Sequence, residues 1–272
     1  MKRLSIVLAA LLASVTAVKA QEVPVSDIGE EQDAGSGTRW TLGLGALAYP
    51  EYQGSSDYKA APLWNIRAQN LYHPNTYVQL LGPILTSNLI PDSHFRFGPM
   101  AQYIAKRGSV ENNKVDDMQN VDPSFMLGAI AGYDFTFGEG RVLALDALGR
   151  QDVANGNGFL GTLQATYKAP IGEHWRLTFG PTTTWASDDY MQAYFGVDSR
   201  DAAQSGLDRY NADAGFKDVG ANASVTYLIT PHWGVTGIAA YRRLVGDAED
   251  SPVTDEGSAN QWYGGILFNY LF

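Results

Sequence analysis

Apolar and polar side chains alternate along most of this chain after its first forty residues. The clearest run is 124–137, where Phe125, Leu127, Ala129, Ala131, Tyr133, Phe135 and Phe137 alternate with Met126, Gly128, Ile130, Gly132, Asp134 and Thr136. A period of two puts successive residues on opposite faces of a strand. The same alternation marks 40–49, 59–68, 94–106, 141–152, 158–169, 174–187, 217–229, 232–244 and 260–272. The last of these places Ile266, Phe268, Tyr270 and Phe272 on one face and ends on the aromatic. Segments of roughly ten residues are long for a soluble sheet and right for a tilted membrane crossing.

These ten segments predict an all-β transmembrane barrel of the antiparallel up-and-down type. The stretch 74–91 holds two apolar runs around Gly82-Pro83, a turn signal. It predicts two more strands and a total of twelve, with ten as the alternative. The connections alternate in length. Short turns at 137–141, 169–173 and 230–232 face long loops at 107–123, 188–215 and 246–258. Barrels have short periplasmic turns and long outer loops, so both chain ends fall on the periplasmic side.

The alternation also assigns faces. Arg96, Asp146, Arg150 and Lys168 are predicted to face the lumen, because a basic side chain on the lipid face at mid-membrane costs about 2–4 kcal/mol. Glu173-His174-Trp175 and Pro231-His232-Trp233 both open a strand after a short turn. Trp175 and Trp233 are predicted to join an interfacial aromatic girdle with Phe268, Tyr270 and Phe272.

The first residues read differently. Lys2 and Arg3 precede an apolar run from Leu4 to Val15, and Val18-Lys19-Ala20 resembles a cleavage site. Residues 1–20 are predicted to be a signal peptide removed after Ala20. Residues 21–38 are acidic and small, a flexible periplasmic lead-in without material for a core. The barrel is expected over 39–272.

Composition narrows the chemistry. There is no Cys, which removes disulfides, thiol catalysis and Cys-based metal sites. Asp and Glu number 29 against 19 Lys and Arg, and the leader holds three of those bases and no acid. So acidic a chain is a poor nucleic-acid binder. All four His fall at or near the short-turn side, where they are expected to be solvated, so an outward-facing hydrolytic site would lack its usual base. No catalytic residue, metal site or cofactor is expected. The five acids of 246–258, Asp247 and Asp250 among them, miss the EF-hand spacing and read as a solvated loop. The loop 188–215 is more distinctive. It combines Tyr190, Met191, Tyr194, Phe195, Leu207 and Tyr210 with charges such as Asp198. So many large apolar side chains in one loop predict either a lid packed into the barrel mouth or a docking surface.

Several pieces carry a family resemblance: Pro50-Glu-Tyr-Gln-Gly-Ser-Ser-Asp57, Tyr194-Phe-Gly-Val-Asp198, Ser205-Gly-Leu207 with Tyr210 and Gly215, Leu244-Val-Gly-Asp-Ala-Glu-Asp-Ser-Pro252, and the aromatic C-terminus. In this order they resemble the MltA-interacting protein/OmpV family of outer-membrane proteins. The resemblance implies an outer-membrane barrel in the Gram-negative envelope, surrounded by lipid and without enzymatic activity. In that family one member is regarded as a scaffold joining a lytic transglycosylase to a murein synthase. Others are linked to adhesion, stress responses or small-solute passage. A channel and a surface adhesin therefore stand beside the scaffold as expectations.

Overall fold

The computed structural model describes residues 37–272. The predicted signal peptide, 1–20, and nearly all of the expected lead-in, 21–38, lie outside the described residues. At their edge, Thr38 Oγ1 donates to the Asn70 carbonyl at 3.1 Å.

Twelve antiparallel strands close into a barrel. They are β1 (Arg39–Pro50), β2 (Tyr58–Gln69), β3 (Tyr77–Leu81), β4 (Ile84–Asn88), β5 (Phe95–Ile104), β6 (Ser124–Phe137), β7 (Arg141–Asp152), β8 (Phe159–Ile171), β9 (Trp175–Ala186), β10 (Gly215–Leu228), β11 (Trp233–Leu244) and β12 (Asn260–Leu271). Each pairs with its neighbours in sequence, and β1 pairs with β12 from Thr41↔Leu271 to Ala48↔Gly264. Closure leaves no sheet edge at the seam, which hydrocarbon requires. The predicted 94–106 strand stops at Ile104, because Arg107 bridges back to Val121 as the outer loop begins.

The face assignment holds throughout the belt. Leu44, Phe97, Leu127, Leu163, Phe179 and Phe268 are exposed outward, as only a lipid-facing surface tolerates. Trp175 packs on Tyr227 and Trp233 on Tyr270, each pair 4.7 Å between ring centroids, at the short-turn end. Phe272 meets Tyr270 edge-on at 4.6 Å. A second girdle sits at the other end, where Tyr241 packs on Trp262 at 4.6 Å.

One hairpin departs from the pattern. β3 and β4 have five residues each, against twelve in β2 and ten in β5. The Gly82-Pro83 turn joins them, with Gly82 at φ +51, a backbone region that glycine enters without strain. The hairpin supplies two members of the ring; it reaches only part-way along β2, to Asn65, but on its other side it reaches Gln102, two residues from the end of β5.

Candidate functional site: a plugged mouth over a packed lumen

Four outer loops converge on the mouth. They are 51–57, 105–123, 187–214 and 245–259. The third carries helix α2 (Asp188–Phe195) and helix α3 (Ser199–Ser205), and the second holds the one-turn helix α1 (Asn113–Asp116). In the fourth, a 3-10 turn at Gly246–Ala248 leads to α4 (Pro252–Asp255). Asp188 and Asp189 sit in the first turn of α2, where the helix dipole favours them. Asp198 caps α3 by accepting the N–H groups of Arg200 at 2.7 Å and Asp201 at 2.8 Å.

The helix α2 is seated in the barrel. Tyr190, Met191, Tyr194 and Phe195 are each at most 1 % exposed and pack with Ile104, Met126, Leu160 and Leu244 from the strands. Tyr190 and Tyr194 stack at 4.4 Å. Polar ties fix the unit from several sides. Gln53 donates to Tyr190 Oη at 2.7 Å. Arg107 donates to the Tyr194 carbonyl at 2.8 Å. Ser251 Oγ donates to the Phe195 carbonyl at 2.6 Å and accepts the Val253 N–H at 3.1 Å. Burial pulls the Arg107 guanidinium below its ordinary value, and Asp201, Tyr194 and Tyr52 oppose that pull.

Of the two sequence expectations for 188–215, the docking surface is excluded for Tyr190, Tyr194 and Phe195, because they face inward. Leu207 lies in a second cluster with Tyr52, Val115 and Val253. Tyr210 is half-buried and donates to the Asp247 carbonyl at 3.1 Å. Burial and the carboxylates of Asp247, Asp250 and Asp213 push its hydroxyl up to about 12. Asp198 and Asp250 remain exposed. The 246–258 segment differs from a wholly solvated loop, because three of its five acids, Asp247, Glu249 and Glu256, are engaged. Asp247 accepts the Asp213 N–H at 2.7 Å, Glu249 pairs with Arg243, and Glu256 pairs with Lys114 at 2.5 Å, which lowers its carboxyl.

Below the plug the lumen is filled. Leu47, Leu63, Ile84, Met100 and Leu267 all point inward, and none exceeds 2 % exposure. They belong to one cluster that draws side chains from β1 to β7 and from β11 and β12. The remaining wall, β8 to β10, contributes hydroxyls and amides. Thr178, Thr182, Thr184, Asn222 and Ser224 are also buried, and Thr226 shares a hydrogen bond with Thr236 at 2.8 Å.

The four predicted lumen charges all point inward but do not form one ring. Arg96 Nη2 lies 2.8 Å from Asp134 and 2.8 Å from Asp146. Arg150, two inward positions further out on β7, donates to Thr162 Oγ1 at 3.0 Å. Lys168 is half-buried at the level of Val142 and Thr178. Sequence reasoning missed Asp134 as the third member of the Arg96 group, although its inward parity was legible. It also missed Lys217 and Asp218. A bulge between Phe216 and Asp218 turns both inward, where they pair at 2.6 Å. Arg107 carried no signal beyond being a base at the start of a long loop.

Three histidines of the short-turn rim each lie against a tyrosine ring. His94, His174 and His232 lie against Tyr133, Tyr227 and Tyr270 at 5.9, 5.8 and 6.3 Å.

A sequence model of the family described as MltA-interacting protein MipA matches residues 42–272. The chain belongs to this family. The MltA-interacting protein of Escherichia coli strain K12 is 28% identical over 116 residues, 43% of this chain and 46% of that protein. The chain thus spans about half the length of that relative. YiaT of Escherichia coli O157:H7, named as an outer membrane protein, is 26% identical over 245 residues, 86% of this chain and 93% of that one. Among solved structures, the COG4313 outer membrane channel of Pseudomonas putida F1 matches with a TM-score of 0.46 and 11% identity, covering 92% of this chain and 100% of that one. As a family member with an apolar belt between two aromatic girdles, this barrel is an outer-membrane protein.

Proposed function

We propose that this barrel is a non-conducting, non-enzymatic anchor in the outer membrane that presents a murein-remodelling enzyme at its periplasmic rim. The observation that carries this is the packed lumen. A pore keeps its inward side chains in water, whereas Leu63, Met100 and Leu267 here are sealed from it beneath a second seal at the mouth. Membership of a family named for interaction with MltA supports the choice of partner, a lytic transglycosylase, with a murein synthase as a further component. The contacting parts would be the lead-in 21–38 and the short turns near Glu139, Glu173 and His232, all on the side of both chain ends. Catalysis belongs to the partners.

Pull-down from envelope extracts tests this, comparing the processed protein with one starting at Arg39. Recovery of a lytic transglycosylase by the first and not the second places the contact in the lead-in. Equal recovery moves it to the barrel rim. Recovery by neither ends the scaffold reading.

A further inference from the structure

Charge is distributed unevenly along the lumen. At the short-turn end the inward positions include Arg39 on β1, Arg67 on β2, Arg96 on β5, Lys168 on β8 and Arg176 on β9. Each lies within four residues of that end of its strand. At the same depth the inward face carries one acid among the described residues, Asp134 on β6. Asp146 stands deeper, on β7, and shares Arg96 with Asp134. A chain with 29 acids against 19 bases thus gathers bases at one mouth.

The outermost members of this group meet the solvent. Arg39, Lys168 and Arg176 are half-buried, whereas Arg67 and Arg96 behind them are buried. Arg67 donates to Gln79 at 2.8 Å and lies 4.3 Å from the centre of the Tyr77 ring. Arg176 donates to the carbonyls of Trp175 at 3.0 Å and Glu173 at 3.3 Å, which holds its guanidinium at the rim. All five bases share the inward parity, so lipid headgroups outside the wall do not meet them. An anion on the periplasmic side does.

The chain carries such an anion at this mouth. Residues 21–36 lie outside the described residues, and their sequence holds Glu22, Asp27, Glu30, Glu31 and Asp33 and no base. They lead directly into β1 at Arg39, and the Thr38 bond to the Asn70 carbonyl ties that junction to the β2–β3 turn. A stretch of that length spans at most about 55 Å. Twelve tilted strands about 4.8 Å apart enclose a barrel roughly 25 Å across. Every base of the mouth is therefore within reach. The tether holds the acids at a local concentration on the order of millimolar, so weak pairs suffice.

We propose that the acidic segment 21–36 docks in the short-turn mouth of its own barrel, its carboxylates pairing with Arg39, Lys168 and Arg176. The low-dielectric walls strengthen such pairs relative to open water. A soluble anion from the periplasm has to displace the segment to reach the same bases. The idea stands apart from the murein partner, since its test uses purified protein alone.

Lys168 makes the test selective. Among the described residues it is the one lysine at the short-turn end, because Lys59, Lys106, Lys114 and Lys217 all lie toward the outer loops. The processed full chain, refolded in detergent from an equal mixture of isotopically light and heavy protein, is treated with a carbodiimide. That reagent joins a carboxylate to a lysine amine only where the two already touch. Mass spectrometry maps the links, with Lys114–Glu256, paired at 2.5 Å, as the internal standard. Lys168 should link to acids of 21–36 within one chain. Arg39→Gln with Arg176→Gln should lower that link several-fold and leave the standard unchanged. The unmodified protein decides the matter. If the standard forms there and Lys168 links only to barrel acids or to nothing, the proposal is overturned whatever the variant does. Links that join light to heavy chains overturn it too, because the contact would then lie between copies.

Discussion

Arg96 and Asp146 form an ion pair across a strand that lies between them. Arg96 is on β5 and Asp146 on β7, and the residue of β6 opposite both is Gly132. A Cβ on Gly132 would collide with the Asp146 carboxylate and stand 3.0 Å from Arg96 Nη2. The missing side chain is what lets the guanidinium reach over β6 to a second carboxylate. Gly132→Ala is therefore expected to destabilise the barrel by about 1–3 kcal/mol, the cost of overpacking a filled interior. Glycine to alanine at an unconstrained strand position would do the reverse. The urea midpoint of the refolded protein in detergent measures this. The loss should shrink when Arg96→Ala and Asp146→Ala are already present, because no side chain then reaches the space above Gly132.

The same group predicts an asymmetry. Asp134 and Asp146 both lean on Arg96. Arg96→Met strands two buried carboxylates and should cost about 3–5 kcal/mol. Asp146→Asn leaves Arg96 with Asp134 and should cost clearly less. Equal urea midpoints for the two variants would mean that Arg96 is held by something other than these acids.

The two seals of the lumen act in series. Replacing 188–214 with a short turn removes α2 and α3 but leaves Leu63, Met100, Ile130 and Leu267 packed beneath. Planar-bilayer conductance should stay at baseline for that deletion. It should appear only when the inner cluster is also opened, for instance by Met100→Ser with Ile130→Ser. A conducting single deletion would show that the inner cluster yields easily and would revive the channel reading.

The plug is also expected to loosen in acid. Backbone N–H groups of Asp201 and Arg200, aided by Gln119, hold the Asp198 carboxyl below the ordinary aspartate value of 3.8. A depressed folded value means the cap contributes above the unfolded value and is lost as pH falls through the folded one. Its contribution to α3 should be complete above about pH 4 and fade below that. Pepsin cleavage within 188–214 should accelerate between pH 4 and 2.5, relative to a denatured control. Asp198→Asn, which keeps an acceptor oxygen but cannot titrate, should flatten that dependence.

How much of this was legible before the structure depends on the kind of information each feature needs. Alternation is local, so β6 and β7 were read to the residue, and Gly82-Pro83 announced its turn by its own chemistry. The short reach of β3 and β4 was not visible, because runs of five apolar residues look alike whether a strand stops or continues. The inward parity of Arg96, Asp146, Arg150 and Lys168 was equally local. That the first three are packed rather than bathed depends on what stands across the lumen, and no spacing along the chain encodes that. The aromatics of 188–215 signalled burial somewhere, but the seat of α2 is built by Ile104, Met126, Leu160 and Leu244 from four different strands.

The packed interior changes what a charge does on either face. Leu145 lies outward on β7 and is 42% exposed to the lipid belt. Leu145→Arg should impair insertion by about 2–4 kcal/mol, the price of a guanidinium near mid-membrane. Thr136 has inward parity but lies near the short-turn end of β6, where it is exposed. Thr136→Arg should be nearly silent, because the new charge stays in water. Thr178 is also inward but only 3% exposed. In an open pore Thr178→Arg would be tolerated as readily as Thr136→Arg. Here it has to displace its neighbours on β8 and β10, so it should fail as Leu145→Arg fails, by overpacking instead of by desolvation. Refolding yields into liposomes, read from the folded and unfolded bands on an unheated gel, distinguish the three. A well-folded Thr178→Arg protein would mean that the lumen holds more water than the burial of its walls implies.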